Sequence, residues 1–323
     1  MAQVVLIGVG AGVAAALLFA SVMSGVALSV ILFYLAPLPI MIVALGWSHW
    51  AALMAALAAA AMLGSAFGIF FFATFLTAVG MPAWWLGYLA LLGRPVANGG
   101  AARIEWYPPG RLVLWAALVG AAVIVAALAT FGGDEATIRN GLKSALDQIL
   151  RIQTQVPPDV STVPGARDTD RVIEMLVLVL PPAAATIAAI TLTGNLWLAG
   201  RVVNLSGRLR RPWPDLTTLS FSPLAAALFG ALVAGAFMPD LAGLVASIFV
   251  ATLALAFAMV GFAVIHTVTR PLRARAVVLT SAYAAVVLLV WPVVIMALIG
   301  VTDTLFGLRA RSFGRGPPPA RKI

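Results

Sequence analysis

The side chains able to do chemistry in this chain are few and weakly clustered. Its 323 residues include no cysteine, which removes disulfides, thiolate metal sites and cysteine nucleophiles. The two histidines, His49 and His266, fall short of the three or four converging donors that a nitrogen-ligated metal needs. No GxxxxGK[ST] loop, HExxH helix or GxSxG turn before a plausible helix occurs, so an ATP-driven motor is not encoded. His49 lies in Trp47-Ser48-His49-Trp50, which reads as an interfacial aromatic belt, and His266 sits just before Arg270 at a span end. Neither an enzyme nor a cofactor is expected.

The chemistry that remains is binding. Pro37 and Pro39, two apart in the apolar run 34–41, cannot donate helix hydrogen bonds and must leave backbone carbonyls without their usual partners. In a bilayer such carbonyls are tolerated only where protein or a water-filled cavity meets them. Asn195, with two donors and an acceptor, is the strongest polar group at membrane depth. Pro37, Pro39 and Asn195 therefore mark an expected, largely neutral cavity among the first three spans and span 172–200, with Trp47, Trp84 and Trp85 at its mouth. Thr186, Thr191 and Thr193 share that span; such groups either coordinate a neutral ligand or join helices by hydrogen bonds. A second cluster, 201–215, concentrates Arg201, Arg208, Arg210, Arg211 and Trp213. It suits contact with anionic lipid headgroups or with a protein partner.

These residues have to be positioned by membrane helices. The chain is 63% hydrophobic and 10% charged, where a soluble domain carries about 25% charge. The first charged residue is Arg94, and a stretch of that length without charge is no soluble surface. A ~30 Å hydrocarbon core takes about 20 helical residues to cross, and the alternation of a barrel strand is missing. The fold class is therefore all-α, a polytopic transmembrane bundle. The expected spans are 3–21, 26–45, 50–79, 83–93, 112–131, 172–200, 219–236, 242–269 and 276–300. The run 50–79 is one tilted helix or two broken at Gly64-Ser65, and 83–93 is too short to cross alone. About eight crossings result, within seven to nine. The run behind Met1-Ala2-Gln3 lacks a basic leader region and reads as a retained first span.

Residues 1–131 form the amino-terminal helices, 132–171 a loop segment, 172–308 the carboxy-terminal helices and 309–323 a basic, disordered tail. Loops 94–111, 201–215 and 270–275 are arginine-rich and belong in the cytoplasm, whereas 132–171, with five basic and six acidic residues, belongs outside. Within it Ile138, Leu142, Ala145, Leu146, Ile149 and Ile152 recur at helical spacing, predicting an amphipathic helix over 134–155 followed by an extended loop through 163–168. The tail either breaks the charge rule or returns inside through a fold-back at Trp291-Pro292. The net charge of +9 and the excess of arginine over lysine suit anionic headgroups in a bacterial inner membrane rather than nucleic acid.

The break at 34–41, then Asn195-Leu196-Trp197-Leu198-Ala199 and Ser206-Gly207-Arg208-Leu209-x-Arg211-Pro212-Trp213-Pro214-Asp215, resemble the YybS-like membrane proteins of bacteria in their alphaproteobacterial versions. That family is distantly similar to the substrate-binding S components of energy-coupling-factor vitamin transporters. The resemblance implies a helical bundle that holds a small ligand, with Ala11-x-x-x-Ala15 and Ala16-x-x-x-Ala20 as a face for docking a coupling subunit. Two functions follow: binding or helping to transport a small molecule, or scaffolding, in which basic loops recruit a protein partner. The partners expected are the bilayer, a small-molecule ligand and a membrane or cytoplasmic protein. In a single-cysteine scan, position 160 should label with an impermeant reagent in intact spheroplasts, and position 207 should label only after lysis. The reverse pattern inverts the topology.

Overall fold

The computed structural model describes residues 2–96, 103–154 and 166–312. Seven helices are long and apolar enough to cross a bilayer: Gln3–Ser24, Ala27–Gly46, His49–Phe67, Ile69–Ala90, Pro109–Ala129, Val172–Leu205 and Asp240–Val268. Three shorter apolar helices, Pro223–Gly235, Arg275–Leu289 and Pro292–Phe306, complete the bundle among the described residues. The chain is a multi-pass, all-α membrane protein whose outer surface meets the lipid.

The first half builds one cluster. Helix α1 (Ala2–Ala20) is followed by α2 (Ala27–Tyr34) and α3 (Pro37–Gly46), which meet at the proline break. α4 (His49–Phe67) begins at Ser48, whose side chain accepts from the Ala51 amide at 3.2 Å as an N-cap. The next span comprises α5 (Ile69–Phe75), a π turn at Leu76–Gly80 and α6 (Met81–Ala90). The chain therefore breaks at Gly68, not at Gly64-Ser65, and 83–93 is mostly the end of a full-length span rather than a short helix of its own. Gly68 has φ +97°, a conformation cheap only for glycine. Gly64 stays helical, where a Cβ would lie 2.8 Å from Phe72 Cβ.

Small residues set the close helix contacts. A Cβ on Gly8 would fall 2.8 Å from the Ala51 carbonyl oxygen, and one on Gly12 2.6 Å from that of Ala55. The Gly8-x-x-x-Gly12 face is thus spent inside the molecule against α4. Ala15 and Ala16 are likewise fully buried, so they are not free to form the docking face that the resemblance implies.

A ribbon of β1 (Gly93–Val96) and β2 (Arg103–Trp106) lies within loop 94–111, an addition to the all-helical expectation. Arg94 pairs across it with Glu105 at 2.6 Å. Next come α7 (Pro109–Ala129) and the amphipathic α8 (Glu135–Thr154). α8 buries Ile138 and Leu142 against Ile173, Val177, Leu244 and Ile248. It therefore caps the bundle at the end away from the arginine-rich loops. α9 (Ala166–Leu205) already includes residues 166–168, read from sequence as loop; residues 155–165, the rest of that loop, lie outside the described residues.

The carboxy-terminal part comprises α10 (Pro223–Gly235), α11 (Asp240–Val268), α12 (Arg275–Leu289), α13 (Pro292–Phe306) and α14 (Leu308–Ser312). The chain folds back at Val290, whose φ of +61° is unusual for a β-branched residue, just before Trp291-Pro292. α13 then runs alongside α11 in the same direction. A Cβ on Gly261 would come within 2.0 Å of the Met296 carbonyl oxygen, and one on Gly300 within 2.0 Å of that of Phe257. Each glycine faces the residue one turn before the other, the relation of parallel helices in register. The fold-back returns Arg309 to the end that carries Arg270: Arg270 Nη2 donates to Thr217 Oγ1 and Arg309 Nη1 to the Thr217 carbonyl, at 2.8 and 2.7 Å. Residues 309–312 of the segment read as a disordered tail are thus helical, and 313–323 lie outside the described residues.

The α11–α13 seam yields a contrast between two helical glycines. Gly300→Ala should cost about 1–3 kcal/mol, because its Cβ meets rigid backbone. Gly230→Ala, where nothing lies within 4 Å, should be neutral or stabilise by up to about 1 kcal/mol. Thermal melting of the detergent-solubilised variants reads both, and equal midpoints would refute the seam.

Candidate functional site

At the proline break the backbone is rearranged rather than left open. Pro37 and Pro39 supply no N–H, and the amides around them shift to nearer carbonyls: Ala36 N to Phe33 O at 3.1 Å and Leu38 N to Leu35 O at 2.9 Å. The Tyr34 carbonyl is thereby left without its usual helical donor, and Asn195 Nδ2 donates to it at 2.8 Å while also donating to Thr191 O at 2.8 Å. Asn195 is 5% exposed, and its Oδ1 is buried without a partner. The break and Asn195 are thus brought together, 161 residues apart in sequence, as a join between helices.

The tryptophans expected at the mouth lie elsewhere. Trp47 sits in the turn between α3 and α4, beneath the Arg208 guanidinium at 4.6 Å from its ring centroid. Trp84, on α6, stacks on Tyr88 at 6.1 Å, with its Nε1 buried and unpaired.

The arginine-rich loop folds back across this end of the bundle. Arg210 Nη2 donates to Trp47 O at 3.3 Å, and Arg211 Nη1 to Ala90 O at 2.8 Å. Arg201 lies over the Trp213 ring at 5.5 Å, and Trp213 meets Trp197 edge-on at 6.5 Å. Asp215 caps the turn Leu216–Thr218, and the Thr217 hydroxyl and amide that it accepts from hold its carboxyl below the usual aspartate range. Arg309 locks the far side, bonding Asp303 and the Thr217 and Leu219 carbonyls.

Beneath this loop is a partly open cavity of about 660 Å³, a volume typical of sites for drug-sized ligands. Its walls are a stripe on α9 (Ile190, Thr193, Gly194, Trp197) and the carboxy-terminal half of α11 (Leu255, Met259, Phe262, His266). Pro109, Leu112 and Val113 of α7 back it, and Arg211, Trp213 and Thr217 close its floor. Toward the lipid it is edged by Tyr283 of α12, which stacks on Phe262 at 4.6 Å and hydrogen-bonds His266 at 2.9 Å. Ile190, Trp197 and Tyr283 are each roughly half exposed. Ile190 and Trp197 belong to a membrane-spanning helix and Tyr283 to the short apolar α12, so the cavity is walled by apolar helices.

The cavity exists because its walls belong to different clusters. Near α8, Ala185 of α9 packs with Leu244 and Ile248 of α11, and Gly120 of α7 leaves room for the α9 backbone. Farther along, from Leu192 onward, α9 joins the amino-terminal cluster through Leu192, Ala199 and Val203. α11 meanwhile stays with Val113, Ala117 and Leu219. The gap between them is the site.

Of the residues singled out from sequence, Arg211 and Trp213 line this cavity, while Pro37, Pro39, Asn195, Trp47 and Trp84 do not. Sequence reading did not assemble Gly194, Trp197, His266 and Tyr283. The i, i+3, i+4, i+7 spacing of Ile190, Thr193, Gly194 and Trp197 was the available signal, but an all-apolar helix offers several such stripes.

Replacing Asn195 by leucine keeps the volume and deletes both donors. The variant should lose about 0.6 kcal/mol, the average for membrane hydrogen bonds, or up to about 3 if the Tyr34 carbonyl is left bare. An unchanged melting midpoint would show that the contact contributes nothing.

No curated protein and no solved structure matches the chain. A family model does, across nearly its whole length. Its match to residues 13–304 places the chain in the family described as predicted membrane protein (DUF2232), to which it belongs.

Proposed function

We propose that this protein binds a small molecule in the cavity between α9 and α11 and helps to move it across a bacterial inner membrane, with the arginine-bearing end in the cytoplasm. The observation that carries the reading is the 660 Å³ space itself, set between apolar helices and partly open. The resemblance to YybS-like proteins, and more distantly to transporter S components, agrees with a helical bundle that holds a ligand. The reading includes no catalysis, since the sequence offers no converging nucleophile, base and metal-ligand set.

The scaffold alternative has less support. Arg208, Arg210 and Arg211 each engage the protein's own α3–α4 turn or α6, which leaves a protein partner fewer free cations.

Gly194 provides the test, because it lines the cavity and a Cβ there meets nothing within 4 Å. Gly194→Leu should fold, fill the space and abolish the stabilisation that a bound compound gives the wild type in a thermal-shift screen of vitamins, metabolites and amphiphiles. Stabilisation that survives this substitution would place the site elsewhere.

A further inference from the structure

Arg211 is the most unusual charge in the molecule. It is 9% exposed, and its one hydrogen bond among the described residues is from Nη1 to the Ala90 carbonyl. Its Nε is buried without a partner, and no carboxylate among the described residues pairs with it. Burial pulls its pKa below the usual arginine value, yet a guanidinium stays charged in proteins. An isolated buried charge is costly unless something compensates it.

The surroundings define what would do so. Arg211 lies at the floor of the cavity, whose remaining walls are mostly aliphatic and aromatic: Leu112, Val113, Ile190, Leu255, Met259 and Phe262. Arg270 and Arg309 stand behind Thr217 at the same end. Asp303 pairs with Arg309, while Asp215 accepts from Thr217 and feels the charge of Arg270. Both nearby carboxylates thus have cationic neighbours other than Arg211, which keeps its own charge uncompensated beside mostly apolar walls.

Resting on the binding role proposed above, we infer that the ligand is an amphipathic anion: an apolar chain lying between α9 and α11, with one phosphate or carboxylate group on the Arg211 guanidinium. An anion there would take the free guanidinium N–H groups in charge-assisted hydrogen bonds, and the chain would replace water on the apolar walls. The same chemistry comes either from a free single-chain amphiphile or from an anionic lipid entering sideways from the bilayer.

The test compares dodecyl phosphate with dodecanol, two probes with one chain and different heads, on the full-length protein in phosphatidylcholine nanodiscs. Wild type should bind the phosphate about tenfold or more tightly than the alcohol, read as concentration-dependent thermal stabilisation. Arg211→Gln should erase that preference while keeping the weaker dodecanol binding, and Arg211→Lys should restore part of it. Because the preference is a ratio measured on one folded sample, a general loss of stability in Arg211→Gln does not imitate it; if that variant fails to fold, Arg211→Lys must still show a reduced ratio. Competition of dodecyl phosphate by phosphatidylglycerol in the disc assigns the site to bilayer lipid, and lack of competition assigns it to a free amphiphile. Equal binding of the two probes, or a ratio unmoved by the Arg211 variants, overturns the anionic assignment alone. Failure of both probes to bind, while another compound's stabilisation is abolished by Gly194→Leu, also overturns the amphiphile but leaves the cavity standing. If no compound at all stabilises the wild type, the binding role itself falls.

Discussion

The bond from Asn195 to the Tyr34 carbonyl is the join on which the arrangement of the two halves depends. Hydrocarbon offers a free carbonyl no water, so a helix broken by two prolines persists only if another segment brings a donor to it. α9 brings that donor. In doing so its carboxy-terminal part is drawn against α3, away from α11, to which its earlier part is packed. A single helix held by two clusters must leave a wedge where they diverge, and the cavity occupies that wedge. The proline break thus opens space after all, but about one helix away from itself.

The same end gathers charge. The Trp47 turn, the end of α6, loop 206–219, the turn after α11 and α14 converge there, tied by Arg208, Arg210, Arg211, Arg270 and Arg309. Most of these contacts are to carbonyl oxygens and aromatic faces rather than to carboxylates. Such partners orient a guanidinium and neutralise little of its charge. The loop therefore closes the bundle while keeping its positive potential. That combination differs from a lattice of surface ion pairs, which would hold the loop as well but cancel the field.

Much of this was legible in sequence, for reasons that differ by residue. Uncharged stretches reveal membrane helices because hydrocarbon excludes charge, and the periodicity of Ile138 and Leu142 reveals α8 because one of its faces is wet. The pairing of Asn195 with the break followed from counting donors, though the count could not tell a ligand from a helix as partner. The turn at Gly68 was missed because Gly64 and Gly68 are chemically identical and only the neighbours decide which bends. The Gly261–Gly300 seam was hidden for a related reason: close approach is a property of two helices, and each glycine alone looks like many others in an alanine-rich chain. The cavity was least legible, since a wedge between clusters is set by which helix follows which, and no single residue encodes it.

Arg211 shows how the two features meet. A loop that only had to close the bundle needed a hydrogen-bond donor for the Ala90 carbonyl, which a neutral glutamine supplies without burying a charge. Exposed arginines at the same end are enough for surface attraction to anionic headgroups, which therefore does not call for a buried one. The buried guanidinium is placed where the wedge reaches the arginine-bearing end, its Nε unpaired, in a side chain that lines a mostly apolar site. Its cost is hard to account for by packing and falls away once an anion reaches it, which is why the charge and the cavity are best understood as one site.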